Sequence, residues 1–345
     1  MRQGALKTAW RKSVKRIVVA AIAAVFALML LGSGQWPLPN SGSANSEIPL
    51  SITIGRSEPY ELIHIAEDQG YFANSGLNVT IRNEYSTPKS FDGMLNGDVD
   101  IAFTGEYTAV AKAFENKNFV VIACIDKFET LCLYGRKDRG IEEVSDLKGK
   151  KIGLTRGAQV EFFTGRFLDL HGMSLQDVTI VDLQPSQYVE ALANGSVDSV
   201  VTSGLFIDQF KEQLGSNLVR LPIQSSQPMY YITACRSDWA ASHPDKINRF
   251  LKSLAQAEKF TINHPTEAKA ILQKRLNLSD EYIATIWPQH RFSLTLDQSL
   301  LIAMNDEGIW MIRNNLTNER TLPDFSSYIY TQGMREVKPD AVNIR

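Results

Sequence analysis

The sequence predicts an α/β protein with two lobes, each built on a sheet rich in parallel strands with helices on its faces, followed by a helical C-terminal region. Three observations carry that prediction. Segments of strand and helix periodicity alternate from residue 50 to residue 202, and such alternation implies parallel pairing through right-handed crossovers. One corner is written twice: LNGDVDIAFTGE at 95–106 and ANGSVDSVVTSG at 193–204 share Asn96/Asn194, Gly97/Gly195, Val99/Val197, Asp100/Asp198 and Thr104/Thr202 at a constant offset. After Ser242 the apolar residues recur at helical spacing.

Taken in order, the chain starts with Arg2, Lys7, Arg11, Lys12, Lys15 and Arg16, then runs through IVVAAIAAVFALMLLG at 17–32. A basic stretch before an apolar run shorter than the roughly 20 residues that span a bilayer reads as an export signal over 1–34. Small-residue exits lie at Gly32 to Gly34 and at Ala44, and an uncleaved membrane anchor is the competing reading. Ser33 stands where lipid attachment needs Cys. The whole chain carries a net charge of −2; without those six cations, 30 basic side chains face 38 acidic ones, a net charge of −8. An acidic exported chain lacks the basic face that nucleic acid requires.

A Ser/Gly/Pro/Asn-rich linker is expected over 35–49, a first lobe over 50–134 and 236–345, and a second over 135–235. LSITIG is the first strand, and 59–72 is an amphipathic helix broken near Gly70. GLNVTI is the next strand, followed by a helix over 87–95 that stops at Asn96-Gly97, a good left-handed cap, and the short strand DIAFT. The order restarts at KKIGLT: strand, turn, helix over 159–172, strand over 178–183, helix over 186–195, strand SVVT. Ile54-Gly55 and Ile152-Gly153 lie at the offset of the doubled corner, which extends the match over two β-α-β-α-β units and predicts paired lobes. MYYITAC at 229–235 is predicted to carry the chain back to the first lobe. Helices over 243–265, 265–277, 279–288 and 295–315 are predicted to clad and brace the two lobes.

Catalytic and metal motifs are absent: there is no His-Glu-x-x-His, Cys-x-x-Cys, Gly-x-Ser-x-Gly or P-loop. No enzyme activity, cofactor or metal is expected, and the five His read as surface or capping residues. Cys124 and Cys132, on what read as neighbouring strands, form a disulfide or are buried free thiols with Cys235; both readings stand.

What remains is backbone chemistry. Strand ends that open into helices present free N–H groups and a partial positive charge beyond the sheet, where ligands of open α/β sheets sit. Three corners qualify: Ser57, Glu58 and Tyr60; Thr104, Gly105, Glu106 and Tyr107; and Thr155 through Val160. Glu58, Glu106 and Glu161 fall at these corners, and two of them pointing into one cleft call for a ligand with a cationic or hydrogen-bond-donating end. Tyr60, Tyr107, Phe128, Phe162, Phe206, Tyr230 and Tyr231 supply rings, of which two or three are expected to face it.

AEDQGYFANSGLNVTI (66–81), LNGDVDIAFTG (95–105), DLKGKKIGLTRG (146–157) and LANGSVDSVV (192–201) resemble the solute-binding proteins of ABC importers of the nitrate/taurine/alkanesulfonate type, whose fold the thiamine-pyrimidine synthases share. The resemblance implies a bilobed type II periplasmic-binding-protein fold with a hinge. It implies a monomer that closes on one small molecule and delivers it to an inner-membrane permease. By position it places Thr104, Gly105 and Glu106 at the first-lobe contact loop, and adds Gly157, Ala158, Gln159, Val160 and Glu161 at the second-lobe helix start and Thr202, Ser203 and Gly204 at the later loop as ligand contacts; among the rings, Tyr60, Tyr107 and Tyr230 are the expected contacts. AQVE replaces the serine-rich run of the sulfonate binders, and the aromatic expected near Ser203 is missing. These departures speak against a simple sulfonate, and the acidic corners make a zwitterion such as taurine or an amine-bearing heterocycle the expected solute rather than nitrate or sulfate. A synthase-like enzyme and a membrane-anchored sensor ectodomain are the alternatives.

Overall fold

A computed structural model describes residues 47–224 and 227–344; the expected signal over 1–34 and most of the linker lie outside the described residues. The strands are β1 (Ile48–Ile54), β2 (Leu77–Asn83), β3 (Ile101–Gly105), β4 (Val120–Phe128) and β5 (Cys132–Arg136). They continue with β6 (Lys151–Leu154), β7 (Thr179–Asp182), β8 (Ser199–Thr202), β9 (Leu218–Pro222) and β10 (Met229–Cys235). They form two sheets, in the orders β2-β1-β3-β10-β4 and β7-β6-β8-β5-β9. Each sheet has three parallel strands, and a fourth that runs antiparallel to both its neighbours. The sheets are thus mixed, with four of the five strands in each running in one direction.

The antiparallel strand is where the chain changes lobe. By sheet pairing Cys132–Arg136 belongs to the second sheet and Met229–Cys235 to the first, so the chain changes lobe before Cys132 and before Met229 rather than after Tyr134 and Cys235. Cys124 and Cys132 consequently sit in different sheets. All three cysteines are free and buried.

Helices α1 (Glu61–Asp68), α2 (Tyr71–Asn74), α3 (Thr87–Asn96) and α4 (Glu106–Phe114) belong to the first lobe, and α5 (Gln159–Leu170), α6 (Tyr188–Asn194) and α7 (Ile207–Leu214) to the second. The doubled corner builds the same device in both. Gly97 and Gly195 end α3 and α6 at φ of 85° and 78°, a left-handed conformation in which a side chain is strained. Val99 and Val197 then enter the core. Asp100 Oδ2 accepts from the Ser51 amide at 2.7 Å, and Asp198 Oδ2 from the Lys151 amide at 2.9 Å. The aspartates thereby tie each short strand to the first strand of its lobe. This register makes Ser51 and Lys151 equivalent. The Ile54-Gly55 and Ile152-Gly153 match is therefore a coincidence of numbering, since Gly55 follows β1 while Gly153 lies within β6.

The C-terminal helices are α8 (Ser237–Ser242), α9 (Pro244–Asn263), α10 (Pro265–Leu276), α11 (Asp280–Ile286), α12 (Gln298–Arg313) and α13 (Gln332–Val337). Residues from Glu47 onward form one unit, and its largest apolar cluster runs from the first sheet through α4, α12 and α5 to Ile152 and Val201 of the second. Tyr134, Tyr188, Val200 and Phe210 form a separate core on the far side of the second sheet. Trp310 of α12 stands between the lobes, its ring against Tyr107 and Phe162 and its Nε1 donating to Asp169 at 3.2 Å.

Candidate functional site

Every parallel strand of both sheets ends at one cleft. Gly55 through Tyr60 follow β1, Tyr85 through Thr87 follow β2, and Gly105 ends β3; Thr155 follows β6, Pro185 through Tyr188 follow β7, and Thr202-Ser203 end β8. The cavity they border measures ≈ 580 Å³, within the range of small-molecule sites. Seven rings line it: Tyr60, Tyr85, Phe128, Tyr188, Phe206, Tyr231 and Tyr282. Its charged lining is Arg56 and Asp208, both exposed, and Glu58, which is only 2% exposed.

Glu58 opens a single turn, Glu58–Tyr60, fixed by Pro59. Its Oε1 accepts from the Tyr282 hydroxyl. Burial, and then the Glu58 carboxylate, push the Tyr282 phenol far above its ordinary range, so it stays a donor. Tyr60 and Tyr231 meet at 2.6 Å through their hydroxyls, and burial raises Tyr60 to about 12.

Among the expected contacts, Ser57, Glu58, Tyr60, Gly105, Ala158, Gln159, Val160, Thr202 and Ser203 line the cavity. Thr104, Glu106, Tyr107, Gly157, Glu161, Gly204 and Tyr230 do not. Glu106 and Glu161 instead hold the lobes together behind the cleft. Gln159 accepts from the Tyr107 amide at 3.1 Å and donates to Glu106 and, at 3.2 Å, to Glu307. The Tyr230 amide also donates to Glu106, at 2.9 Å. Glu106 Oε1 and Glu307 Oε2 have no N–H or O–H partner, and burial raises both carboxyls, with Glu106 raising Glu307 further. Burial, and for Glu307 the neighbouring carboxyl, thus favour the neutral acid over the carboxylate at this contact.

Glu161 closes its own corner, accepting from Arg156 and from the Gly157 amide, both at 2.9 Å. Tyr107 donates to it at 3.5 Å, and Thr108 donates to the Gly157 carbonyl at 2.9 Å. Thr104 is fully buried with an unpartnered hydroxyl. Tyr230 lies on the opposite face of β10 from Tyr231, its ring 4.9 Å from Lys127 Nζ. Strand alternation alone decides that pair.

Two histidines are neither surface nor capping residues. His64 is buried in α1 with both ring nitrogens unpartnered, and burial, then Arg275, lower it to about 4. His290 is buried with Nδ1 2.6 Å from Asp126 Oδ2, its ring stacked between Phe128 and Phe292. His171 and His243 do cap, each ring meeting the carbonyl four residues back. The lining residues that the sequence reading missed include Arg56, Tyr85 through Thr87, Pro185, Ser186, Tyr188 and Asp208 in the two lobes, and Leu276 through Ser279 and Tyr282 in the C-terminal region; nothing in a helical pattern says which end of a brace reaches a pocket.

The profile of the NMT1/THI5 like family matches residues 61–268. A Bacillus subtilis (strain 168) protein named for aliphatic sulfonate binding is 27% identical over 282 residues, covering 79% of this chain and 82% of the relative. A Saccharomyces cerevisiae (strain ATCC 204508 / S288c) protein, 4-amino-5-hydroxymethyl-2-methylpyrimidine phosphate synthase THI13, is 24% identical over 227 residues, covering 61% and 66%. The alkanesulfonate-binding protein SsuA from Xanthomonas axonopodis pv. citri, solved bound to MOPS, superposes with a TM-score of 0.71 at 15% identity, covering 82% of this chain and 98% of that one. The fold is therefore the bilobed periplasmic-binding-protein fold, and the strand orders agree with its type II form. With its profile matched over more than half of its length, the chain belongs to the NMT1/THI5 like family.

Proposed function

We propose that this chain is the exported, monomeric solute-binding component of an ABC importer, closing its two lobes on a small organic solute and delivering it to an inner-membrane permease. One observation carries the reading: the ends of all six parallel strands, three from each lobe, border a single cavity. A solute there touches both lobes, and contacts available only when the lobes approach are what favour closure. The names of the sulfonate-binding relatives support the same role.

The lining narrows the solute. Seven rings around ≈ 580 Å³ suit a ring-bearing molecule better than one as small as taurine, and the buried Glu58 calls for a cationic or hydrogen-bond-donating end. The synthase among the relatives keeps an enzyme reading in view, but the described lining has no His, Lys or Cys to relay a proton or anchor a cofactor.

Export is supported by the basic and apolar stretches over 1–34. Among the described residues, no helix is long and apolar enough to cross a membrane. Mass spectrometry is expected to find a mature start near residue 35 or 45; retention of 17–32 would make the chain an anchored ectodomain. The binding role is tested by a thermal-shift screen of ring amines, pyrimidines, sulfonates, amino acids and nitrate. A solute at 100 times its Kd stabilises by about 2.7 kcal/mol, and the ring amines and pyrimidines are expected to stand out.

A further inference from the structure

The segment that reaches the cleft from the C-terminal region has its own small core. Leu272, Leu276, Ile283 and Ile286 cluster apart from the main core, with Leu278, Tyr282 and Trp287 packed on them. Asn277, in the left-handed conformation at φ 57°, turns the chain between α10 and α11. Residues 276–279 thereby border the cavity, and the Arg56 guanidinium fastens the turn by donating to the Leu276 carbonyl at 2.8 Å.

Tyr282 is placed by this cluster between the two lobes. Its hydroxyl donates to Glu58 of the first lobe. Its ring lies over Gly204 of the second, where an added Cβ would stand 3.1 Å from Cε2 and 3.2 Å from the hydroxyl oxygen. The second copy of the doubled corner continues into Gly204-Leu205 where the first continues into Glu106-Tyr107. The glycine leaves room for the ring. The one buried carboxylate lining the cavity is thus already engaged by a donor from the protein itself.

We propose that Tyr282 is a specificity-determining latch: its hydroxyl occupies Glu58 in place of the solute's donor, and only a solute bearing a competing donor displaces it and gains the carboxylate. The inference rests on the solute-binding reading and deepens it. A solute without a donor leaves the latch shut and forgoes Glu58. A cationic one exchanges a phenol for a charged partner, which is the stronger hydrogen bond.

The test needs one readout with no solute and one with defined probes. Hydrogen exchange of amides 277–286 in the solute-free protein is expected to accelerate about ten-fold in Tyr282→Phe, with amides of α9 unchanged. Gly204→Ala, which crowds the ring from the other lobe while keeping the hydroxyl, is expected to shift it in the same direction. Calorimetry with 2-phenylethylamine is expected to give about ten-fold tighter binding to Tyr282→Phe, and with 2-phenylethanesulfonate no gain. Unchanged exchange in Tyr282→Phe overturns the latch whatever the solute is. Faster exchange with weaker amine binding overturns the competition and makes Tyr282 a direct ligand contact. Amine binding to wild type that Tyr282→Phe leaves equal overturns the proposal while the solute reading stands. Failure of the amine to bind any variant overturns the competition for Glu58, while the solute-binding reading stands or falls on the thermal-shift screen.

Discussion

Gly105 closes the first copy of the doubled corner, and its value lies in space rather than in backbone freedom. Its φ of −72° and ψ of 153° suit any residue, but a Cβ would stand 2.2 Å from Gln159 Oε1. That oxygen is held by the Tyr107 amide and its amide group by two carboxyls. Gly105→Ala is therefore expected to push Gln159 out of the contact between the lobes, costing about 1–3 kcal/mol in urea unfolding and weakening solute binding. The corner itself is legible in the sequence, because small residues at a strand end next to a helix start have few other uses. The direction of its acidic neighbour is not. Glu106 turns inward to accept from Gln159 and from the Tyr230 amide, with Gln159 also donating to Glu307 of α12, and only tertiary structure brings these residues together.

At the scale of elements, α12 decides how the lobes are joined. Trp310 fills the space that Gly165 of α5 leaves open, where a Cβ would fall 2.1 Å from its ring. Trp310→Ala is expected to cost about 3–5 kcal/mol, read from the urea midpoint. The carboxyl pair beside it sets a pH dependence shared with Glu61 and His64. Glu61 is raised by burial from 4.5 to about 8. The folded protein thus keeps a proton that the unfolded chain releases, and this contribution is lost as pH rises from 4.5 to 8. Glu106 and Glu307 act in the same direction. His64 is lowered from 6.5 to about 4, so its effect has the opposite sign and is complete by pH 6.5. Above pH 6.5 only the carboxyls act, and stability is expected to fall toward pH 8. Glu307→Gln is expected to flatten that fall in urea midpoints taken across the range. The sequence read α12 as a brace from its apolar spacing; it gave no sign that a buried carboxyl sits among those apolar positions. It gave β4 and β5 no bounds beyond placing Cys124 and Cys132 on strands, and it left β9 and α7 unassigned, since continuous apolar runs such as FVVIACI at 119–125 have no alternation to distinguish a buried strand from a buried helix.

Across the whole molecule, the two lobes were legible because duplication repeats a local pattern, and each copy folds by the same Asp-to-first-strand tie. The cleft was legible only in part. Its walls are strand ends, which local sequence marks; its mouth is Leu276 through Tyr282, which long-range packing brings there. Of the three acidic corners, only Glu58 reaches the cavity, so the proposed choice of solute is to be tested at that residue rather than at a pair. The most direct measurement is calorimetric titration of wild type and Glu58→Gln with the solute that the thermal-shift screen identifies. The account predicts a donor-bearing ring solute whose affinity falls at least ten-fold in Glu58→Gln. Equal affinity in the two proteins, or a best solute that is a plain anion such as nitrate or methanesulfonate, would contradict it.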